Sequence, residues 1–427
     1  MPHNERYLTP QTCCRILKGV NILTNAANLR GPAERGSGQT QMPATTIFPQ
    51  AVGTAVHALS CEHLLHVFPS FGIGGVPLRM VRIINHLGKR FRHTVIALDN
   101  NFDATAGLSD DLSLDLMPVR AATRGPFQNL AAGVIVLRRL RPDLLLTYNW
   151  GAIEWAAAAR FSPVLRHVHL ESGFGKAEAD MQIPRRVLFR RWALARCGLV
   201  VVPSRRLENI ACRVWRLPAA RIAYIPNGVD TARFAVPVTD GVPSLERRPG
   251  EMVIGTVAPL RPEKNIARLL RVFAMLDFQQ PLRLVIAGDG VERVPLERLA
   301  KELGIAESVL FTGQTAPESV LGAFDIFALS SDTEQMPNAL LEAMAASRAI
   351  AAVDVGDVRK IVSEENREFI VNRDDLGAFA AALSGLLSSP ERRRALGSAN
   401  RRRAVAEFSQ ERMFSEYSRI FSPGRAH

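Results

Sequence analysis

The stretch G-T-V-A-P-L-R-P-E-K-N-I-A-R-L-L, Gly255 to Leu270, decides how the rest of the chain is read. A β-rich run, Val253 to Val257, ends in a short loop carrying Arg261 and Lys264. A helix follows, whose apolar Ile266, Leu269, Leu270 and Phe273 recur at helical spacing. Strand, tight loop and helix in that order form the repeating unit of a parallel sheet covered by helices. Two cations at the start of a helix, where unpaired N–H groups point outward, make a site for an anion, and a departing diphosphate is one whose charge grows as a bond breaks.

The same rhythm runs in both directions. Downstream, Arg283 to Ala287, Val309 to Phe311, Ile326 to Leu329 and Ile350 to Val353 read as strands with helices between them. Upstream, the strand candidates are Leu64 to Phe68, Thr94 to Leu98, Leu144 to Tyr148, Val164 to Leu170 and Leu199 to Val202. Between the two series, Thr231 to Gly250 contains Pro237, Gly241, Pro243 and Pro249 and reads as a linker. The expected fold is therefore α/β, with two facing Rossmann-like domains and a deep cleft between them. Ligands bind beyond the carboxyl ends of parallel strands, so such a pair suits a two-substrate reaction. The expected division is an N-terminal domain over 61–235, a linker over 236–250, and a second domain over 251–404. Residues 1–60, with G-P-A-E-R-G-S-G-Q-T-Q and no sustained periodicity, read as a disordered or extraneous extension.

At 427 residues the chain exceeds what one hydrophobic core supports. With 47% hydrophobic, 22% charged and 7% aromatic residues, it is neither collagenous, nor a disulfide scaffold, nor wholly disordered. No apolar run reaches the roughly 18 residues of a membrane-spanning helix, and no secretory signal opens the sequence. Cys13, Cys14, Cys61, Cys197 and Cys212 lack metal-ligand spacing and suit a reducing compartment. These features place the protein in the cytoplasm.

The net charge of +12 is partly concentrated: Lys176 to Arg221 holds eleven Lys or Arg against Glu178, Asp180 and Glu208. Nothing there has the stacking or zinc-finger pattern of a nucleic-acid binder. In I-P-R-R-V-L-F-R-R-W-A-L-A-R-C, Val187, Leu188, Trp192 and Leu194 alternate with arginines. Two readings stand for residues 184–198, a helix lying on an anionic membrane surface and an ordinary solvated helix face.

Three further strings carry candidate chemistry. S-F-G-I-G-G-V-P-L-R-M-V-R-I-I-N-H-L follows the first strand, and Gly72, Gly74 and Gly75 allow close approach of a phosphate or sugar, or form a purely structural turn. It has neither the full dehydrogenase fingerprint nor a P-loop lysine. R-H-V-H-L-E-S-G places His167, His169 and Glu171 two apart on one strand face. That spacing suits a ligand-facing histidine, a structural one, or a metal site, the last disfavoured because no further Cys or His cluster is near. S-S-D-T-E-Q-M-P-N-A-L-L-E-A-M-A is the most specific. Glu334 lies in a loop and Glu342 on the helix introduced by Pro337 and Asn338, so the first can accept from sugar hydroxyls and the second from the two hydroxyls of a ribose. The N–H groups near Asn338 and Ala339 point the same way.

Together these strings resemble the family 4 retaining glycosyltransferases of the glycosyltransferase B fold. The resemblance covers Leu64 to the C-terminus and includes, in order, the G-G after the first strand, Y-N-W-G at Tyr148, the histidine string, I-P-N-G-V-D at Ile225, L-R-P-E-K-N, A-G-D-G at Ala287 and the Glu334 to Glu342 block. It implies that the N-terminal domain regains a C-terminal helix at 405–427. It also implies transfer from a nucleotide-diphosphate sugar with retention, no cofactor and no metal, and a saccharide or lipid-linked acceptor such as a surface-polysaccharide precursor. It also assigns roles. Glu334 resembles the loop glutamate that contacts the donor sugar, Glu342 the ribose-binding glutamate, Lys264 the lysine that neutralises the diphosphate, and His169 the histidine beside sugar and phosphate. Gly74 and Gly75 resemble the loop facing the reaction centre, and Gly313 lies where the base is met. Two positions depart from the family pattern: G-R-L is Ala258, Pro259, Leu260, leaving Arg261 to substitute for the arginine, and E-G is Glu334, Gln335. The rival readings are an epimerase or phosphorylase of the same fold and a non-catalytic protein recruited to membranes.

Overall fold

The computed structural model describes residues 61–119, 126–164, 166–174, 178, 181–235 and 247–422. The extension 1–60, linker positions 236–246, and Lys176 and Asp180 of the basic segment lie outside the described residues.

In the N-terminal half the strands are β1 (Glu62–Phe68), β2 (Phe91–Ala97), β3 (Ser113–Leu116), β4 (Leu144–Tyr148), β5 (Arg166–Leu170), β6 (Leu199–Val202) and β7 (Ile222–Tyr224). They form one sheet, ordered β3-β2-β1-β4-β5-β6-β7, in which every pairing is parallel. The helices between them are α1 (Gly75–Leu87), α2 (Pro126–Leu140), α3 (Ile153–Ala159), α4 (Pro184–Leu194) and α5 (Arg205–Asn209). Along β1 and β4 the core alternates with period two. Leu64, Phe68, Leu144, Leu146 and Tyr148 belong to one apolar cluster, whereas Leu65, Val67 and Leu145 join Trp155 in another on the opposite face. A sheet covered on both faces needs such unbroken apolar strands.

The second half repeats the scheme with β8 (Met252–Val257), β9 (Leu282–Ala287), β10 (Val309–Gly313), β11 (Ile326–Leu329), β12 (Ala349–Val353) and β13 (Ile370–Val371), ordered β10-β9-β8-β11-β12-β13 and again parallel. Its helices are α6 (Ile266–Ala274), α7 (Arg293–Glu302), α8 (Pro317–Leu321), α9 (Asn338–Ala345), α10 (Val358–Ile361), α11 (Leu376–Leu387) and α12 (Pro390–Glu407).

The last helix, α13 (Gln410–Phe421), returns to the first sheet. Val229 N–H donates to Phe408 O at 2.8 Å and Gln410 N–H to Val229 O at 3.0 Å, marking where the chain crosses back. Met413, Tyr417 and Phe421 are then buried in the same cluster as Leu64 and Phe68. Arg166 from β5 donates to Ile420 O at 2.5 Å and Ser422 O at 3.0 Å, a cation at the carboxyl end of α13 where the helix dipole favours it.

Candidate active site

The loop after β8 is held by the loop after β9. Ala258 N–H donates to Ala287 O, Leu260 N–H to Asp289 O and Glu292 N–H to Leu260 O, all at 2.9–3.0 Å. Gly288 makes this approach possible: at φ 145° it lies in a region that favours glycine, and a Cβ there would stand 1.9 Å from Ala258 O. Pro259 and Arg261 are thereby presented on the inner side of the loop.

Next comes a short turn, Pro262–Lys264, and then Asn265 in the left-handed region. The Asn265 side chain caps α6 by accepting from Arg268 N–H and donates to Asp332 Oδ1 at 2.9 Å. Arg268, itself buried, donates to Ser330 O at 2.6 Å and Asp332 Oδ1 at 2.8 Å, while Asp332 N–H donates to Glu263 O at 2.9 Å. These bonds join the loop after β8 to the loop after β11. Lys264 Nζ consequently donates to Glu334 Oε1 at 2.5 Å, and Ser331 Oγ donates to the same oxygen at 2.8 Å. Gly356, at φ 59°, lets a third loop pass behind, because a Cβ there would meet Glu334 O at 2.2 Å.

Pro337 is the N-cap of α9, with extended backbone and no side-chain cap, so the first-turn N–H groups are left to a ligand. The N-terminal half closes over this end. A Cβ on Gly75 would be 3.7 Å from Asn338 Nδ2. Asn227 Nδ2 donates to Met336 O at 3.0 Å and to Asn338 Oδ1 at 2.9 Å. Arg79 of α1 donates to Asn227 Oδ1 and, at 2.8 Å, to Ser172 Oγ. Gln335, where the family pattern has glycine, accepts from Ser204 Oγ at 3.1 Å across the same boundary.

A cavity of about 380 Å³ lies between these parts. Of the residues singled out in the sequence, Gly75, Arg261, Lys264, Glu334, Pro337, Asn338 and Ala339 line it together. Gly74, the N-cap of α1, Gly313 and Glu342 are not among its lining residues. Gly313 closes β10 and accepts from Gly288 N–H at 2.8 Å. Glu342 is one turn beyond Asn338 on α9. Burial pushes its carboxyl from the ordinary 4.5 to about 7, Arg82 and Arg233 pulling it down and Glu318 pushing it further up.

The structure does not bring His169 to the cavity. Its side chain is fully buried in β5, with Nδ1 2.9 Å from Thr147 Oγ1, and the same hydroxyl lies 2.9 Å from His167 Nε2. Spacing of two puts both rings on one face, and that face is turned into the fold. Buried histidines recur throughout this sheet: His63 is bonded to Thr94, and His66 to Tyr148 and His93. Burial drives the His167 ring down to about 3, so it stays neutral. The residue of that string that does reach the cavity is Ser172. Ser172, Arg79 and Asn227 all lie within the quoted strings, but only the tertiary contacts single them out. Among the described residues no cluster of His, Cys, Asp or Glu has the makings of a metal site.

Helix α4 has one face buried and one in solvent. Val187 and Leu194 pack inward, and Arg190 is fully buried. Arg190 donates to both oxygens of Glu178, at 2.9 and 3.1 Å, its Nε lies 3.8 Å from Glu171 Oε2, and its guanidinium sits among the rings of Trp150, Phe174 and Trp215. Burial alone would push the Glu178 carboxyl up, but Arg190 and Arg186 hold it below its ordinary value. The solvent face is carried instead by Leu188 and Trp192, four residues apart, with Arg185 and Arg196. The arginine series therefore divides between an internal ion pair and an outer rim.

Residues 73–233 match Glycosyltransferase Family 4, and residues 242–403 match Glycosyl transferases group 1. A GDP-mannose-dependent alpha-mannosyltransferase from Mycolicibacterium smegmatis is 31% identical over 347 residues, covering 75% of this chain and 87% of that protein. The chain belongs to the family 4 glycosyltransferases. A second member, the D-inositol 3-phosphate glycosyltransferase of Corynebacterium urealyticum, is 34% identical over 193 residues, and there the match spans 42% of this chain and only 45% of the relative. The fold of this family 4 chain is also that of the Anabaena protein HepE, solved in complex with UDP, with a TM-score of 0.69 at 16% identity over 84% of this chain and 99% of that one.

Proposed function

We propose that this family 4 glycosyltransferase moves a sugar from a nucleotide-diphosphate sugar to an acceptor hydroxyl with retention, and that the acceptor is a saccharide or lipid-linked precursor of a surface polysaccharide. The observation that carries the reading is the Lys264–Glu334 pair, set beside the open amino end of α9 in a cavity shared by both halves. In this reading the donor diphosphate lies on the N–H groups of Asn338 and Ala339, with Lys264 and Arg261 beside it. Glu334 accepts from sugar hydroxyls and Glu342 from the ribose. Gly313, at the strand end beside Gly288, flanks the base, and Gly74 and Gly75 meet the donor from the loop that faces the reaction centre. His169 holds the strand from inside.

The C1–O bond to phosphate breaks while the acceptor oxygen bonds to C1 from the same face, and the acceptor proton passes to a phosphate oxygen. Negative charge grows on the diphosphate as that happens, and fixed cations and amide dipoles stabilise it without a metal ion or cofactor. Glu334 Oε1 is already engaged by Lys264 and Ser331, which suits holding the sugar better than attacking it. The relatives support a nucleotide donor, since the Mycolicibacterium protein is named GDP-mannose-dependent and HepE was solved with UDP.

Screening the protein against UDP-, GDP- and ADP-sugars by thermal shift tests the reading. A donor at 100 times its Kd should stabilise by about 2.7 kcal/mol, and NMR of the product should show the donor's anomeric configuration kept. Stabilisation by none of them, or isomerised or phosphorolysed products, would overturn it.

Glu342 adds a pH signature of two opposite signs. Accepting both ribose hydroxyls requires the ionised carboxylate, so donor affinity should rise as pH climbs through about 7. Stability without donor should move the other way. The folded value exceeds the ordinary 4.5, so that stabilisation is complete below 4.5 and is lost as pH rises through about 7. Both slopes should flatten in Glu342→Gln, with affinity read by titration calorimetry and stability by the melting temperature.

A peripheral site at the inner face of a membrane is a second part of the proposal. Leu188 and Trp192, with Met181 at 80% exposure nearby and Arg185 and Arg196 around them, offer an apolar patch with a basic rim.

A further inference from the structure

We infer that Arg79, carried by the N-terminal domain, is a binding residue for the donor diphosphate and supplies a second cation to the cavity that Lys264 also lines. The inference rests on the nucleotide-sugar reading and adds a residue from the other half of the molecule to it.

Three arginines are buried among the described residues: Arg79, Arg190 and Arg268. Arg190 is matched by Glu178 and Glu171, and Arg268 by Asp332. Arg79, only 7% exposed, has no carboxylate within 4.0 Å among the described residues. Its two Nη atoms donate to neutral oxygens, Asn227 Oδ1 and Ser172 Oγ, and its Nε has no hydrogen-bond partner. The phenols of Tyr148 and Tyr417, which feel its charge, are kept neutral by burial.

A buried guanidinium left without an anion carries a desolvation cost of several kcal/mol that its neutral partners offset only in part. Among the described residues, Lys264 is ion-paired with Glu334, whereas Arg79 has no charged partner. Both line the same cavity. Asn227 links Arg79 to the first residue of α9, accepting from the guanidinium and donating to Asn338. Lys264, the amino end of α9 and Arg79 thus line one space. A planar fork of N–H donors suits phosphate oxygens better than any neutral ligand. Because Arg79 belongs to α1, the complete cation set exists only while the two halves are closed together. Release of the nucleotide diphosphate then requires this contact to break.

Calorimetric titration with the nucleoside diphosphate that stabilises the wild type, with its monophosphate, and with the uncharged nucleoside tests the inference on Arg79→Met and Arg79→Lys. Arg79→Met should bind the diphosphate about ten- to a hundredfold more weakly and the nucleoside unchanged, and Arg79→Lys should recover part of the loss. Without ligand, Arg79→Met should melt no lower than the wild type, since an unpaired buried charge has been removed. An unchanged diphosphate affinity would overturn the inference, as would an equal loss for nucleoside and diphosphate or a large fall in melting temperature, both marks of a merely structural role. Retained diphosphate affinity with loss of transfer alone would assign Arg79 to an acceptor phosphate and also overturn it. If no nucleoside diphosphate stabilises the wild type, the donor reading itself fails; if the wild type binds one and Arg79→Met binds it equally well, only the Arg79 assignment fails.

Discussion

Replacing Lys264 with methionine is expected to lower kcat/KM for sugar transfer about 10²–10³-fold while leaving the protein folded. The side chain lies 21% exposed at the cavity, and its one acidic partner among the described residues is Glu334. Methionine keeps the length and apolar stem but removes the charge that meets the departing diphosphate. Glu334 then keeps Ser331 as donor, so the stability cost should be no more than about 1 kcal/mol. Lys264→Arg keeps the charge on a bulkier head and should fall between. Steady-state rates with and without saturating donor, beside a melting curve, separate the two effects. Full activity in Lys264→Met would remove the central assignment.

Arg190→Met is expected to have the largest effect on stability of any change in the basic segment, about 3–5 kcal/mol. The arginine is 0% exposed and faces Glu178 and Glu171, themselves 2% and 0% exposed. Without it, Glu171 loses its arginine and the buried Glu178 keeps only Arg186, at 2.9 Å. The shift in urea midpoint at constant slope measures the loss. Arg190→Met combined with Glu178→Leu should recover much of it, because a buried ion pair can be exchanged for apolar contacts at little cost when both partners go. A helix whose arginines all faced outward would tolerate the single change, so a negligible shift would overturn the ion-pair role of Arg190.

The sequence made the central strands legible because they are covered on both faces and read as apolar runs: L-L-L-T-Y at β4 and I-F-A-L at β11 have the expected limits. The peripheral strands β3, β7 and β13 are not legible in the sequence. S-L-D-L of β3 is mostly exposed, I-A-Y of β7 is half-buried, and β13 has two residues, so none presents a continuous apolar signal. At the site, the Glu334 to Ala339 string was readable because its carboxylate, proline and helix start follow one another in sequence. His169 was not, since a period of two says which residues share a strand face and not whether that face meets solvent or the hydroxyl of Thr147. Arg79, Ser172 and Asn227 come together from three separate segments, and their meaning lies in a charge balance that only the folded chain displays. The same holds for Arg190, indistinguishable in sequence from Arg191 beside it.

The return of α13 to the first sheet also sets an order of events during synthesis. Met413, Tyr417 and Phe421 are part of the core around Leu64 and Phe68, so the half translated earlier cannot finish its packing until α13 has left the ribosome. At a translation rate of about 5–20 residues per second, the nearly complete N-terminal sheet waits while the whole second domain is made, and it keeps an apolar groove open for that time. The second domain, contiguous in sequence, has no such delay. The later-made half is thus the one able to mature first, and the earlier one is the natural client of a chaperone.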